Sequence, residues 1–271
     1  MKWQTILTVL IAGVFGLHIL GTLVTTKIRF RLTVNVETPT GPKTGSSVME
    51  TVFYRESAFS RLFTDKVRLD GEAVLVDLGA APDGKRLNLL ALLVLGPRGS
   101  DASAASLPVI VFSDYLQANR EARNARARFR YDRSAITKAQ GPAFDCGEFG
   151  DVYCEIAQLP KGTRREVQGD SIPTLITFKD PDDPKSALVV GPYSLHDVFG
   201  AGFRLQNVTL EFVAPARWPL GMFGMSGEPL ARKIEAALPK ILESFRNQSS
   251  TIMRSPRDPF ALRREHLQSR S

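Results

Sequence analysis

Six arginines fall within fourteen residues, at Arg120, Arg123, Arg126, Arg128, Arg130 and Arg133, interrupted by only two acids, Glu121 and Asp132. A guanidinium is permanently charged and presents a planar fork of donors that matches phosphate and carboxylate oxygens. The run therefore has the chemistry to hold anionic lipid headgroups, an acidic polymer or phosphates. Phe129 and Tyr131 interleave with it, as aromatic rings do in some nucleic-acid binders. No recognisable nucleic-acid module accompanies them, so nucleic acid is not the expected partner. The competing reading is a solvated face with local ion pairs.

Other groups are weaker carriers of chemistry. Cys146 and Cys154, the two cysteines of the chain, stand eight residues apart in FDCGEFGDVYCE. If the domain faces an oxidising compartment, they can close a small disulfide; two thiols without a nearby His cannot build a tetrahedral zinc site. His196, in SLHDVFG, is the one credible catalytic imidazole, with Ser194 and Asp197 beside it. Triad members meet through the fold rather than as sequence neighbours, so a solvent-facing His near a helix start is the simpler expectation. GPKTGSS at Gly41–Ser47 has its Lys in the wrong order for a phosphate loop. Gly79–Lys85 fits G-x-x-x-x-G-K, but Arg86 follows where a hydroxyl must bind magnesium. Both read as turns. Asp180, Asp182 and Asp183 lack the Gly and terminal Glu of a calcium loop, and their Pro-rich spacing predicts a turn in which Asp side chains cap backbone groups. The sequence thus presents no catalytic constellation, no metal site and no cofactor motif.

The elements that must position these groups begin with an apolar segment. Between Trp3 and Thr26 the only ionisable side chain is His18, and about 20 apolar residues suffice to cross the hydrocarbon core. Residues 4–26 are expected to form a single-pass transmembrane helix, contacting the bilayer as an uncleaved signal anchor. A cleavable signal peptide would have a shorter core and a better small-x-small site. Lys27, Arg29 and Arg31 follow, and by the positive-inside rule they would place the large domain in the cytoplasm. However, Arg29 and Arg31 alternate with Ile28, Phe30, Leu32, Val34 and Val36, the period-2 pattern of a strand, so they can belong to the fold instead. A lone N-terminal anchor ahead of a large domain is the layout of an exported protein, which places the domain in the periplasm, on the bacterial inner membrane.

Residues 27–247 are expected to form one β-rich α+β domain, mainly antiparallel. Ile28–Val36, Val48–Tyr54, EAVLVDLG, RLNLLALLVLG, Pro173–Phe178 and Phe203–Val213 read as strands, with Asp83-Gly84 as a hairpin turn and ALVV and SLHDVFG leading into the last strand. The arginine run reads as helical at least at its start. A C-terminal amphipathic helix is predicted over Glu228–Phe245, because Leu230, Ile234, Leu238, Ile241 and Phe245 recur on one face; Pro239 should kink or divide it. Residues 248–271 are charged and aperiodic, and are expected to be a flexible tail.

The segments FRLTVNVETPTGPKTGSSVMETVF, GEAVLVDLG, IPTLITFKDPDDPKSALVV and FGAGFRLQNVTLEFV resemble an uncharacterised group of proteobacterial membrane-anchored proteins. The resemblance implies a bacterial membrane location and carries no activity or site residue. The resulting expectation is a non-enzymatic accessory or binding module. Its rivals are a membrane-anchored hydrolase using His196, and an anionic lipid or polymer binder using Arg120–Arg133.

Overall fold

Strand β1 (Thr25–Glu37) organises the molecule. Its even-numbered residues Ile28, Phe30, Leu32, Val34 and Val36 are at most 2% exposed, while the odd-numbered ones carry charge or polarity. That alternation specifies which face of the strand is covered, since a one-residue slip would send five apolar side chains to the wrong side. The computed structural model describes residues 25–56, 64–81, 84–96, 103–131, 152–214, 228–230, 234–241 and 243, with 251–252, 262–263 and 267.

β1 pairs antiparallel with β2 (Lys43–Glu56) through the turn at residues 38–42, and on its other side with β9 (Arg204–Phe212). β3 (Thr64–Asp70) and β6 (Arg164–Val167) complete a five-stranded antiparallel sheet in the order β3-β2-β1-β9-β6. A second antiparallel sheet has the order β4-β5-β7-β8, from β4 (Val74–Ala80), β5 (Arg86–Leu95), β7 (Pro173–Phe178) and β8 (Ala187–Val190). β3 and β6 carry little strand signal in the sequence, because both are short edge strands rich in charge, which weakens the alternation.

The two sheets share one core. Leu89, Ala91, Leu93 and Leu95 of β5 meet the apolar face of β1, while Leu90 and Leu92 point the opposite way into a second cluster. Burial on both faces is why RLNLLALLVL is almost continuously apolar rather than alternating. Gly45 lies where β2 crosses β4: a Cβ there would stand 2.3 Å from the Leu75 carbonyl oxygen. The GPKTGSS stretch is thus a turn leading into a strand at a close backbone approach. Asn88 closes the β5–β7 seam by donating through Nδ2 to the Phe178 carbonyl (3.1 Å) and accepting from the Phe178 N–H (3.0 Å).

The second cluster joins Leu90, Leu92, Ile176, Phe178 and Ala187 to Ile234, Leu238, Ile241 and Leu267. Ile234, Leu238 and Ile241 thus lie buried together, as their spacing predicts. The helix itself is divided beside Pro239, as expected. Helix α5 is Ile234–Ala237, the run breaks at Leu238, and residues 239–241 and 243 are helical again. Glu228–Leu230 is not helical. The reason is long-range: Glu228 is held on β1 by Arg29 and Arg31, and the Ile234 N–H is accepted by the buried Glu72 carboxylate (3.0 Å). Leu267, within the stretch expected to be a flexible tail, is fully buried, and its carbonyl accepts from the Ala73 N–H at 2.8 Å. Burying a leucine is worth about 1.5–3 kcal/mol, which outweighs the polar character of its neighbours. Among the described residues no helix is long and apolar enough to cross a membrane. The expected span 4–26 lies outside them as far as Val24, and its last two residues, Thr25 and Thr26, already belong to β1.

Candidate anionic-surface site

The apolar run LPVIVFSDY folds as helix. Helix α1 (Leu107–Val111) turns at Phe112 into the 19-residue helix α2 (Ser113–Tyr131), which carries Arg120, Arg123, Arg126, Arg128 and Arg130. Arg133 lies outside the described residues. At ~1.5 Å per residue α2 is about 28 Å long.

The first turns of α2 are fixed in three ways. Leu116 enters the shared core, and the Phe112 ring packs tilted against Phe212 of β9, with ring centres 5.0 Å apart. Asp114 pairs with Arg165 of β6, whose guanidinium also lies 4.7 Å from the centre of the Phe112 ring. The Arg165 guanidinium holds the Asp114 carboxyl below its ordinary range, helped by the Tyr115 backbone N–H. Asn119 then donates through Nδ2 to the Glu155 carboxylate at 3.5 Å.

Glu155 is only 4% exposed and sits on the short helix α3 (Val152–Ala157). On the same helix Ile156 is fully buried, and Tyr153 stacks on Phe53 with ring centres 5.0 Å apart and planes 13° from parallel. Phe53 faces Thr26 across the β1–β2 ladder. A continuous path of contacts therefore runs from Thr26 at the start of β1, through Phe53, Tyr153, Glu155 and Asn119, to Arg120. Arg120 is exposed. From Asn119, steps of four, three and four residues lead to Arg123, Arg126 and Arg130. By helical register these positions continue the stripe that Leu116 and Asn119 use for docking, whereas Arg128 falls off it. Lys27, 57% exposed, and Lys66 stand at the same end of the sheet.

The sequence located the arginines but not their support. Glu155, Asn119, Phe53 and Tyr153 gave no motif; a carboxylate beside Ile156 in a six-residue helix looks like any surface acid. Cys154 of α3 is disulfide-bonded. Cys146, the other cysteine of the chain, lies outside the described residues.

No protein-family model, curated protein or solved structure matches this chain.

The remaining candidates are separated from one another. His196 lies in helix α4 (Leu195–Phe199), 60% exposed, with Nε2 3.2 Å from Asp197 Oδ1, itself 65% exposed. Ser194 Oγ is directed to the Gly191 carbonyl at 3.4 Å. The aspartates act as turn caps: Asp180 accepts from the Asp182 N–H and Asp183 from the Lys185 N–H, each at 2.9 Å. Among the described residues no three His, Cys, Asp or Glu side chains converge to hold a metal ion. Gly84, with φ of +81°, donates to the Ala81 carbonyl at 2.8 Å in the turn between β4 and β5, and no helix follows it as a phosphate loop requires.

A charged network missed by sequence reading crosses the outer face of the large sheet. Arg29 binds Glu50 and the Glu228 carbonyl, and Arg31 binds Glu211 at 3.2 Å and the Glu228 carboxylate. The Glu228 contact pushes the Arg31 guanidinium further above its ordinary value. These groups tie the C-terminal segment to β1.

Proposed function

We propose that this chain is a single-pass protein of the bacterial inner membrane, anchored by residues 4–26, whose β-rich domain stands in the periplasm as a non-enzymatic accessory or binding module. The observation that carries this reading is the disulfide at Cys154, a bond that persists in oxidising compartments and is rare in the cytosol. The basic flank that pointed inward has another explanation. Arg29 and Arg31 are strand residues neutralised by Glu50, Glu211 and Glu228, so they serve the fold and weigh little as a topology signal. The resemblance to proteobacterial anchored proteins agrees with this address.

The geometry around His196 favours a module over a hydrolase. An imidazole and carboxylate that are both about two-thirds exposed have neither the orientation nor the desolvation that nucleophilic catalysis needs.

Fusions of alkaline phosphatase and of green fluorescent protein to the C-terminus test the reading, together with alkylation of the cysteines before and after reduction. Active phosphatase, a dark fluorescent fusion and thiols accessible only after reduction are expected. A fluorescent fusion with freely alkylated cysteines would overturn it.

A further inference from the structure

We infer that helix α2 is a lipid-contacting arm: its arginines engage the anionic headgroups of the same bilayer that holds residues 4–26. This rests on the anchored reading and adds the partner of the arginine site.

Three observations carry it. The first is position. β1 leaves the apolar segment at Thr25, and the contacts from Thr26 through Phe53, Tyr153 and Glu155 to Asn119 bring α2 to that end of the sheet. The turn at residues 38–42 closes the opposite end, with twelve residues of β1 between, about 40 Å away. The second is direction. α2 starts at Asp114 beside Arg165, which faces Leu210 and hence the Leu32 level of β1, and by Asn119 it has reached the helix that touches Phe53 at the Thr26 level. From that point the twelve residues Arg120–Tyr131 continue the helix for about 18 Å. The third is charge. That remaining length carries five arginines against one acid, Glu121, whose carboxylate accepts from Gln117 at 3.0 Å. A basic segment within a Debye length of a membrane is attracted to anionic lipid, and tethering by the anchor holds it there at high effective concentration.

The register explains why the arginine stripe follows the docking stripe. Leu116 and Asn119 meet protein, and the positions that follow at the same helical spacing are Arg123, Arg126 and Arg130.

Hydrogen exchange on the full chain in nanodiscs tests the arm. Discs of phosphatidylcholine alone are compared with discs containing phosphatidylglycerol. Amides of residues 120–131 are expected to exchange about tenfold more slowly in the anionic discs at low salt, with the difference lost at high salt. R123Q/R126Q/R130Q should abolish the difference, and R123K/R126K/R130K should keep most of it, which separates lost charge from lost folding. Equal exchange in both discs, or protection retained by the Gln variant, would overturn the proposal. Protection in neutral discs on adding soluble polyphosphate, with none from phosphatidylglycerol, would overturn it in favour of an acidic polymer. Failure of the anchor itself is seen independently, as release of the chain from membranes by alkaline carbonate.

Discussion

The Arg29 guanidinium donates to Glu50 Oε2 from Nε at 3.0 Å, with Nη2 2.8 Å from the same oxygen, and the two side chains are only 8% and 9% exposed. The pair sits on the polar face of a sheet, where solvation is the default, yet the Glu228 carbonyl caps it at 2.6 Å. It is thus a covered ion pair joining β1, β2 and the C-terminal segment. Replacing Arg29 by Met leaves the buried Glu50 carboxylate facing the half-exposed Lys27 at 4.0 Å and should cost up to about 3 kcal/mol. R29M/E50L should recover much of that loss. Urea unfolding of the two variants followed by near-ultraviolet dichroism decides it; equal destabilisation would show that the pair is not coupled.

Gly45→Ala should be among the most damaging small substitutions. Its Cβ would meet the Leu75 carbonyl oxygen at 2.3 Å and the carbonyl carbon at 2.9 Å. Backbone cannot step aside as a flexible side chain can, so a loss of about 3 kcal/mol or more is expected. Limited proteolysis at increasing temperature reads it directly.

Docking of α2 should weaken in acid. Asp114 has a carboxyl pKa lowered by its hydrogen bond from Arg165. A depressed folded-state value means the contact contributes fully above the unfolded-state pKa and is lost as pH falls through the folded one. Protection factors of the amides at 113–119, corrected for the intrinsic slowing of exchange in acid, should therefore fall once pH drops below the ordinary aspartate range, about pH 4, and D114N should remove that step while keeping the helix.

The C-terminal stretch should prove structural. Leu267→Ala empties a fully buried site against Ile234, Leu238 and Ile241, with an expected cost of about 2–5 kcal/mol. A chain ending at residue 247 should lose at least as much, because the Ala73 N–H also loses its acceptor. An unchanged unfolding midpoint in both would refute the packing role.

His196→Ala should leave stability within about 0.5 kcal/mol of the parent, as for an ordinary surface position. It should also complement a strain lacking the chain. Failed complementation by a stable variant would bring back the hydrolase.

Much of the fold was legible locally. The period of two in β1 and β9, the both-faces-apolar run of β5, and the spacing of Ile234, Leu238 and Ile241 each report a burial pattern that short-range sequence must satisfy. The aspartate turn was readable for the same reason, since Asp180 and Asp183 bond backbone only two residues away. The Glu228–Phe245 helix was overextended because the residues that hold Glu228 out of it, Arg29 and Arg31, lie nearly two hundred positions earlier.

The sequence alone determined which residues seek cover and which turns the chain takes, because hydrophobic period and turn chemistry act over a few residues. Only the tertiary structure decided that β1 lies between β2 and β9, that Arg29 is buried, that Leu267 joins a core, and that Asn119, next to Arg120, bonds the buried Glu155. Those outcomes depend on pairings between residues far apart in the chain. A side chain's burial and partners there are set by strand register and layer packing, which no local pattern encodes.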